Sequence, residues 1–210
     1  MAATTPIYAL PYPVPADPAD VPADIKALAD RLEVVLPTVS VFSKLFDTTL
    51  GAAGPSFDFS SIPQTNSHLL LVVQGRGDAA AVAIGVTGRL NGDAGANYNE
   101  QRVVGNAATV SATEGIAVSA ATLGLLPGAS AAAGMFGSLF SFIPNYRSTT
   151  GSKQMLGLLA YIQSLATANT IVGMAQGHWR TAGVAVNRLT VLAGSGNFIA
   201  GSRATLYGLG

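Results

Sequence analysis

The stretch LLLVVQGRGDAAAVAIGV, Leu69 to Val86, admits three readings, and the fold turns on which one holds. An apolar run entering Gly75-x-Gly77-x-x-Ala80 has the outline of a dinucleotide-binding turn, and Arg76-Gly77-Asp78 spells an adhesion tripeptide. The third reading is a loop between two antiparallel strands. A dinucleotide turn needs a helix directly after it, because the pyrophosphate rests on that helix's N-terminus inside a parallel βαβ unit. Here Val82, Ile84 and Val86 alternate and then meet Gly85 and Gly88, which is a strand's period of two. Asp93, the candidate ribose-binding acid, falls in the turn-like NGDAG and does not end a second strand. The stretch therefore reads as strand, loop, strand, with Gly75 and Gly77 placed for positive φ. Arg-Gly-Asp is a match of three common residues and reads as part of that turn.

The same period extends outward from it. From Thr38 on, TVSVFSKLFD, HLLLVVQG, VAIGVTGRL, GIAVSA, GSLFSFIPNY, QMLGLLAYIQ, NTIVGMAQ, VNRLTVLAG and GSRATLYGL are strand candidates, separated by Gly, Asn, Asp and Ser clusters. Short strands at such spacing, with no alternating helices, predict an all-β antiparallel sandwich, jelly-roll-like, over residues 38–210. The segment from Asn91 to Gly115 is too long and polar for a hairpin loop and is expected to be an ordered excursion.

Toward the N-terminus the pattern changes. Pro6, Pro11, Pro13, Pro15, Pro18 and Pro22 keep the backbone extended and remove ladder donors, so the first residues predict an extended arm. From Pro22, Ile25, Leu28, Ala29, Leu32 and Leu36 recur at helical spacing, Asp24 sits near the positive helix end, and Pro37 stops the run. One short helix with one narrow apolar stripe is marginal alone, so Ile25, Leu28 and Leu32 are expected to pack on the body, on another copy or on a partner. Residues 1–37 thus form a Pro-rich attachment arm and helix ahead of the sandwich.

Composition restricts what such a body does. Only 10% of the 210 residues are charged, against about 25% in ordinary soluble domains, and mean hydropathy is +0.41. A chain so short of solvating groups is expected to cover part of its surface with other subunits. All eleven carboxylates lie at or before Glu114, and beyond it stand only Arg147, Lys153, Arg180, Arg188 and Arg203. These basic residues are too scattered to displace counterions together, so nucleic acid is not an expected partner. The uncharged stretches Gly115–Tyr146 and Gln154–Trp179 are long enough to span a bilayer, but Gly, Pro, Ser and Asn break them, so membrane insertion is not expected. The opening MAATTPIYALPYP shows no basic segment or apolar core of a secretory signal.

Catalytic chemistry finds little material. There is no cysteine, and the two histidines, His68 and His178, sit in no G-x-S-x-G or H-E-x-x-H pattern. Asp17, Asp20, Asp24, Asp30 and Glu33 crowd the arm and helix, where capping and solvation account for them. Asn91, Asp93 and Asn97 alternate faintly like a calcium loop but bring a single carboxylate, and local turn closure is the simpler account. Trp179, Phe136, Phe140 and Phe142 read as core or subunit-interface aromatics. No catalytic, cofactor or metal residue is assigned.

Three segments carry a resemblance. YALPYPVPADPADVPADIKALADRLE, LNGDAGANY (Leu90–Tyr98) and GNFIAGSRATLYGLG (from Gly196) resemble, in this order, elements of minor structural proteins of tailed bacteriophages, with Leu90 where an aromatic is more usual. The resemblance implies a non-enzymatic virion component on the particle exterior, either tail-associated (tail tip or fibre) or capsid-decorating. Its expected partners are other virion proteins and two further copies in a homotrimer, with a host-surface receptor or glycan as a further candidate. Tyr8, Leu10, Pro11, Tyr12 and Pro13 are the expected docking residues, because a pre-extended segment loses less entropy on binding. The rival expectation is a module that binds or depolymerises host glycans, which needs a carboxylate pair that the acid-free stretch after Glu114 makes hard to assemble.

Overall fold

The computed structural model describes residues 3–4, 11–12, 21–35, 41–164 and 169–210, and within the first 40 residues it describes side chains only for 23–31. The chain divides into two units, residues 1–41 and 42–210.

In the first unit, β1 (Ala3–Thr4) pairs antiparallel with β2 (Pro11–Tyr12), and α1 spans Val21–Val35. The helix starts one residue before Pro22, carries Asp24 in its first turn and ends two residues before Pro37. Lys26 and Asp30 pair one turn apart on its exposed surface, worth only about 0.3–0.5 kcal/mol. The arm is not wholly without pairing, since Thr4 and Ala3 face Pro11 and Tyr12 in register.

The second unit is an antiparallel β-sandwich. Its strands are β3 (Phe42–Thr49), β4 (Ser56–Phe59), β5 (His68–Gly75), β6 (Ala83–Leu90), β7 (Tyr98–Asn106), β8 (Thr109–Val118) and β9 (Ala121–Pro127). They are followed by β10 (Gly137–Ile143), β11 (Lys153–Ile162), β12 (Thr170–Trp179), β13 (Leu189–Ala193) and β14 (Arg203–Leu209). One sheet has the order β3-β14-β5-β10-β11-β12-β7-β8 and the other β4-β13-β6-β9. The strands β3, β14, β5 and β10 against β4, β13, β6 and β9 give the strand order of a jelly roll. Two inserted hairpins, β7–β8 and β11–β12, widen the first sheet on one side.

Three local expectations fail. The loop after β5 does not close a hairpin, because β5 and β6 belong to different sheets. Neither Gly75 nor Gly77 has positive φ; a Cβ on Gly77 would lie 2.5 Å from Ile84 Cδ1, so close approach is what requires glycine there. The segment from Asn91 is no excursion but largely the β7–β8 hairpin, and GIAVSA begins as the end of β8. β8 is a Thr- and Ser-containing edge strand exposed along most of its length, so no apolar alternation marks it.

Phe57, Phe59, Leu71, Val86, Leu189 and Leu206 are among the side chains that fill the core between the sheets. Under β9 the core thins. The inward positions of β11 include Gly157 and those of β12 include Gly173, Ala175 and Gly177. β9 crosses directly above, so a Cβ at Gly157 would stand 2.4 Å from the Leu123 carbonyl oxygen, and one at Gly177 would stand 2.5 Å from Ala121 Cβ. Gly157→Ala is therefore expected to destabilise the fold by about 1–3 kcal/mol or more. Gly85→Ala on β6, where a Cβ meets nothing within 4 Å, should be nearly neutral. Thermal unfolding of the two variants side by side tests this.

Candidate functional site

The three residues of the Arg-Gly-Asp loop are all engaged internally. The Arg76 side chain is buried (8% exposed) and donates to four carbonyl oxygens of one loop, Ala129 (3.1 Å), Ala131 (2.8 Å), Ala132 (2.5 Å) and Met135 (3.2 Å). Gly77 N donates to Pro127 O. Asp78 accepts from Asn197 N (2.7 Å) and Asn197 Nδ2 (3.0 Å), and these contacts hold its carboxyl below the usual range. Ser202 Oγ accepts from Arg76 N at 3.3 Å. The tripeptide is a clamp between the β5–β6 crossover, the 129–135 loop and the chain just before β14.

LNGDAGANY is a second clamp. Asn91 and Gly92 both have positive φ, and Asp93 N donates to Leu90 O, closing a tight turn. The Asn91 side chain accepts from Asn187 N (2.8 Å) and donates to Ala185 O (2.8 Å). Asp93 accepts from Trp179 Nε1 (2.7 Å), Gly95 N (2.9 Å) and Asn97 Nδ2 (3.0 Å), so N–H donors already occupy its carboxylate. Donors aimed inward are the wrong polarity for a cation cradle. No group of three or more metal-ligating side chains occurs among the described residues.

The histidines lie at strand ends. His68 Nδ1 accepts from Asn145 N (3.0 Å), and His178 Nε2 lies 2.6 Å from Ser152 Oγ. Ser152 also lines a polar cleft of about 400 Å3 with Ser148, Thr150 and Lys153. A serine-histidine contact needs an acid to orient the ring, and among the described residues no carboxylate is hydrogen-bonded to either histidine.

The predicted docking residues are placed only in part. Tyr8, Leu10 and Pro13 lie outside the described residues, and Pro11 and Tyr12 form β2 with side chains not described. On α1, Ile25 is 62% and Leu28 37% exposed, and the Leu32 side chain is not described.

The main surface feature is one that sequence reading did not single out. The outward positions of β10, β11 and β12 carry Phe140, Leu156, Leu158, Ile162, Val172 and Met174, with Met174 60% and Val172 59% exposed. Phe140, Leu156, Leu158 and Met174 line an open depression of about 590 Å3 that also takes in Leu70, Val103 and Phe142. Trp179 faces inward and is core, whereas Phe140 stands outside. The signal was present: QMLGLLAYIQ is apolar at both parities, as expected for a strand covered on both faces.

No helix among the described residues is long and apolar enough to cross a membrane. No protein-family model, curated protein or solved structure matches the chain.

Two predictions follow from the clamps. Arg76→Ala removes one donor from each of four carbonyls and opens a cavity, and should lower stability by about 2–4 kcal/mol in denaturant unfolding. For pH, the Trp179 hydrogen bond leads in holding Asp93 below its ordinary 3.8, so its contribution is present above 3.8 and is lost as pH falls through the lowered folded value. Burial pushes Tyr98 from 10.0 up to about 12, so its contribution is full below 10.0 and is lost as pH rises through about 12. Melting temperature should form a plateau that falls at both ends, and Asp93→Asn should lower the plateau while flattening its acid limb.

Proposed function

We propose that this chain is a structural component of a bacteriophage virion, displayed on the particle exterior as a trimeric β-sandwich and attached by residues 1–37. Its action is attachment and display, without substrate turnover. The observation that carries this reading is the uncharged apolar outer face of β5, β10, β11 and β12 in the large sheet, a surface suited to assembly and one that offers no acid-base pair. The order of the three phage-like segments along the chain also supports it. Two of those segments form clamps that close the sandwich, the role expected of motifs serving a scaffold.

Jelly rolls host many activities, so the fold alone does not carry the reading. Placement on the tail or as capsid decoration are both compatible with a single attachment segment, and immunogold labelling of particles separates them. Deleting residues 1–21 should abolish incorporation into particles while leaving the sandwich folded; incorporation at the full level would remove the arm's proposed role. Release of reducing ends from host glycans by the purified chain would overturn the non-enzymatic reading.

A further inference from the structure

We infer that the outer face of β5, β10, β11 and β12 is the surface through which copies of this chain bind one another. The inference rests on the assembly reading above and deepens it by naming the interface.

Size is the first argument. The exposed parts of Phe140, Leu156, Leu158, Ile162, Val172 and Met174 amount to roughly 600 Å2, at the upper limit for a monomer's largest apolar patch. Leu70, Val72 and Phe142, partly exposed on the same face, bring the patch toward the roughly 800 Å2 per partner of a stable interface.

Charge is the second. No Asp, Glu, Lys or Arg occupies an outward position on these four strands; the outward polar residues are Gln74, Ser138, Gln154, Thr170, Gln176 and the two histidines. Charge begins only at the flanks, with Arg203 and Asp47 paired across β14 and β3 and with Glu114 opposite Gln101 on the β8–β7 side. An apolar centre with a polar and charged rim is the anatomy of a protein–protein interface. Nothing in the centre selects a polyanion, an acidic lipid surface or a charged peptide.

The occupant is another copy of this chain, because an uncharged apolar patch needs no matching charge on its partner and every chain carries such a patch. The chain's own helix is too small: four strands span about 15 Å between their outer axes, whereas a helix is about 10 Å across with its side chains, and Ile25 and Leu28 offer only a narrow stripe.

The test is sedimentation of the purified full chain over a wide concentration range, with Leu158→Glu/Met174→Glu on the face and Val110→Glu on the exposed β8 edge as control. Wild type and control should sediment as oligomers, and the double variant as a 21.2 kDa monomer with unchanged circular dichroism. A monomeric wild type, or a double variant that stays oligomeric, overturns the inference. Should the double variant misfold, the chain's lack of cysteine allows Met174→Cys and Val110→Cys to be labelled instead. Thiol modification should be much slower at 174 than at 110, and equal rates would overturn the inference. Particle incorporation is read separately: an oligomer lost with the face variants stands even if the chain is absent from virions, and a monomeric chain that still incorporates sinks the interface alone.

Discussion

The close passage of β9 over β11 and β12 is the constraint on which the body depends. A backbone that lies almost in contact with another sheet's backbone needs glycine beneath it, and Gly157 and Gly177 supply that room. Each glycine removes a side chain that would otherwise contribute burial, so the inner face of these strands is lean. Away from the crossing Met155, Leu159, Ile171 and Trp179 still fill the inner face, while Leu156, Leu158, Val172 and Met174 stand exposed on the opposite one.

The thin region is held at its borders by polar clamps. Arg76 gathers the carbonyls of the 129–135 loop next to the end of β9, and Asp93 joins the β6–β7 turn to Trp179 at the end of β12. Both use a charged residue against neutral partners, Arg76 against carbonyls and Asp93 against N–H groups. Such bonds are stronger than neutral ones, and they fix the buried Arg76 and the half-buried Asp93 in place. The motifs most like functional signatures in the linear sequence are thus the ones most committed to closing the fold.

The proposed assembly role rests on surfaces more than on a cleft. Among the described residues the apolar depression on the large sheet has no nearby carboxylate pair, and the polar cleft beside Ser152 has no acid behind its histidine. Assembly needs neither. The proposed particle component would need a stable body, a large interface and a means of attachment, and the described residues show the first of these.

Period-two alternation after Thr38, glycine and asparagine punctuation and the absence of βα alternation were enough, in the sequence, for an all-β antiparallel sandwich, and Pro22, Asp24 and Pro37 for the helix. These are local signals, set by backbone sterics and side-chain parity within a few residues. The first part of β8, before Gly115, escaped because an exposed edge has no buried parity to display, and β9 because Gly124 and Pro127 interrupt its short run. Which sheet each strand joins, the internal use of Arg76 and Asp78, and the outward aim of Phe140 and Met174 were decided only by tertiary structure. Each depends on partners far away in the chain, such as Ala131 for Arg76 and Asn197 for Asp78, and no local pattern encodes a contact made across such a distance.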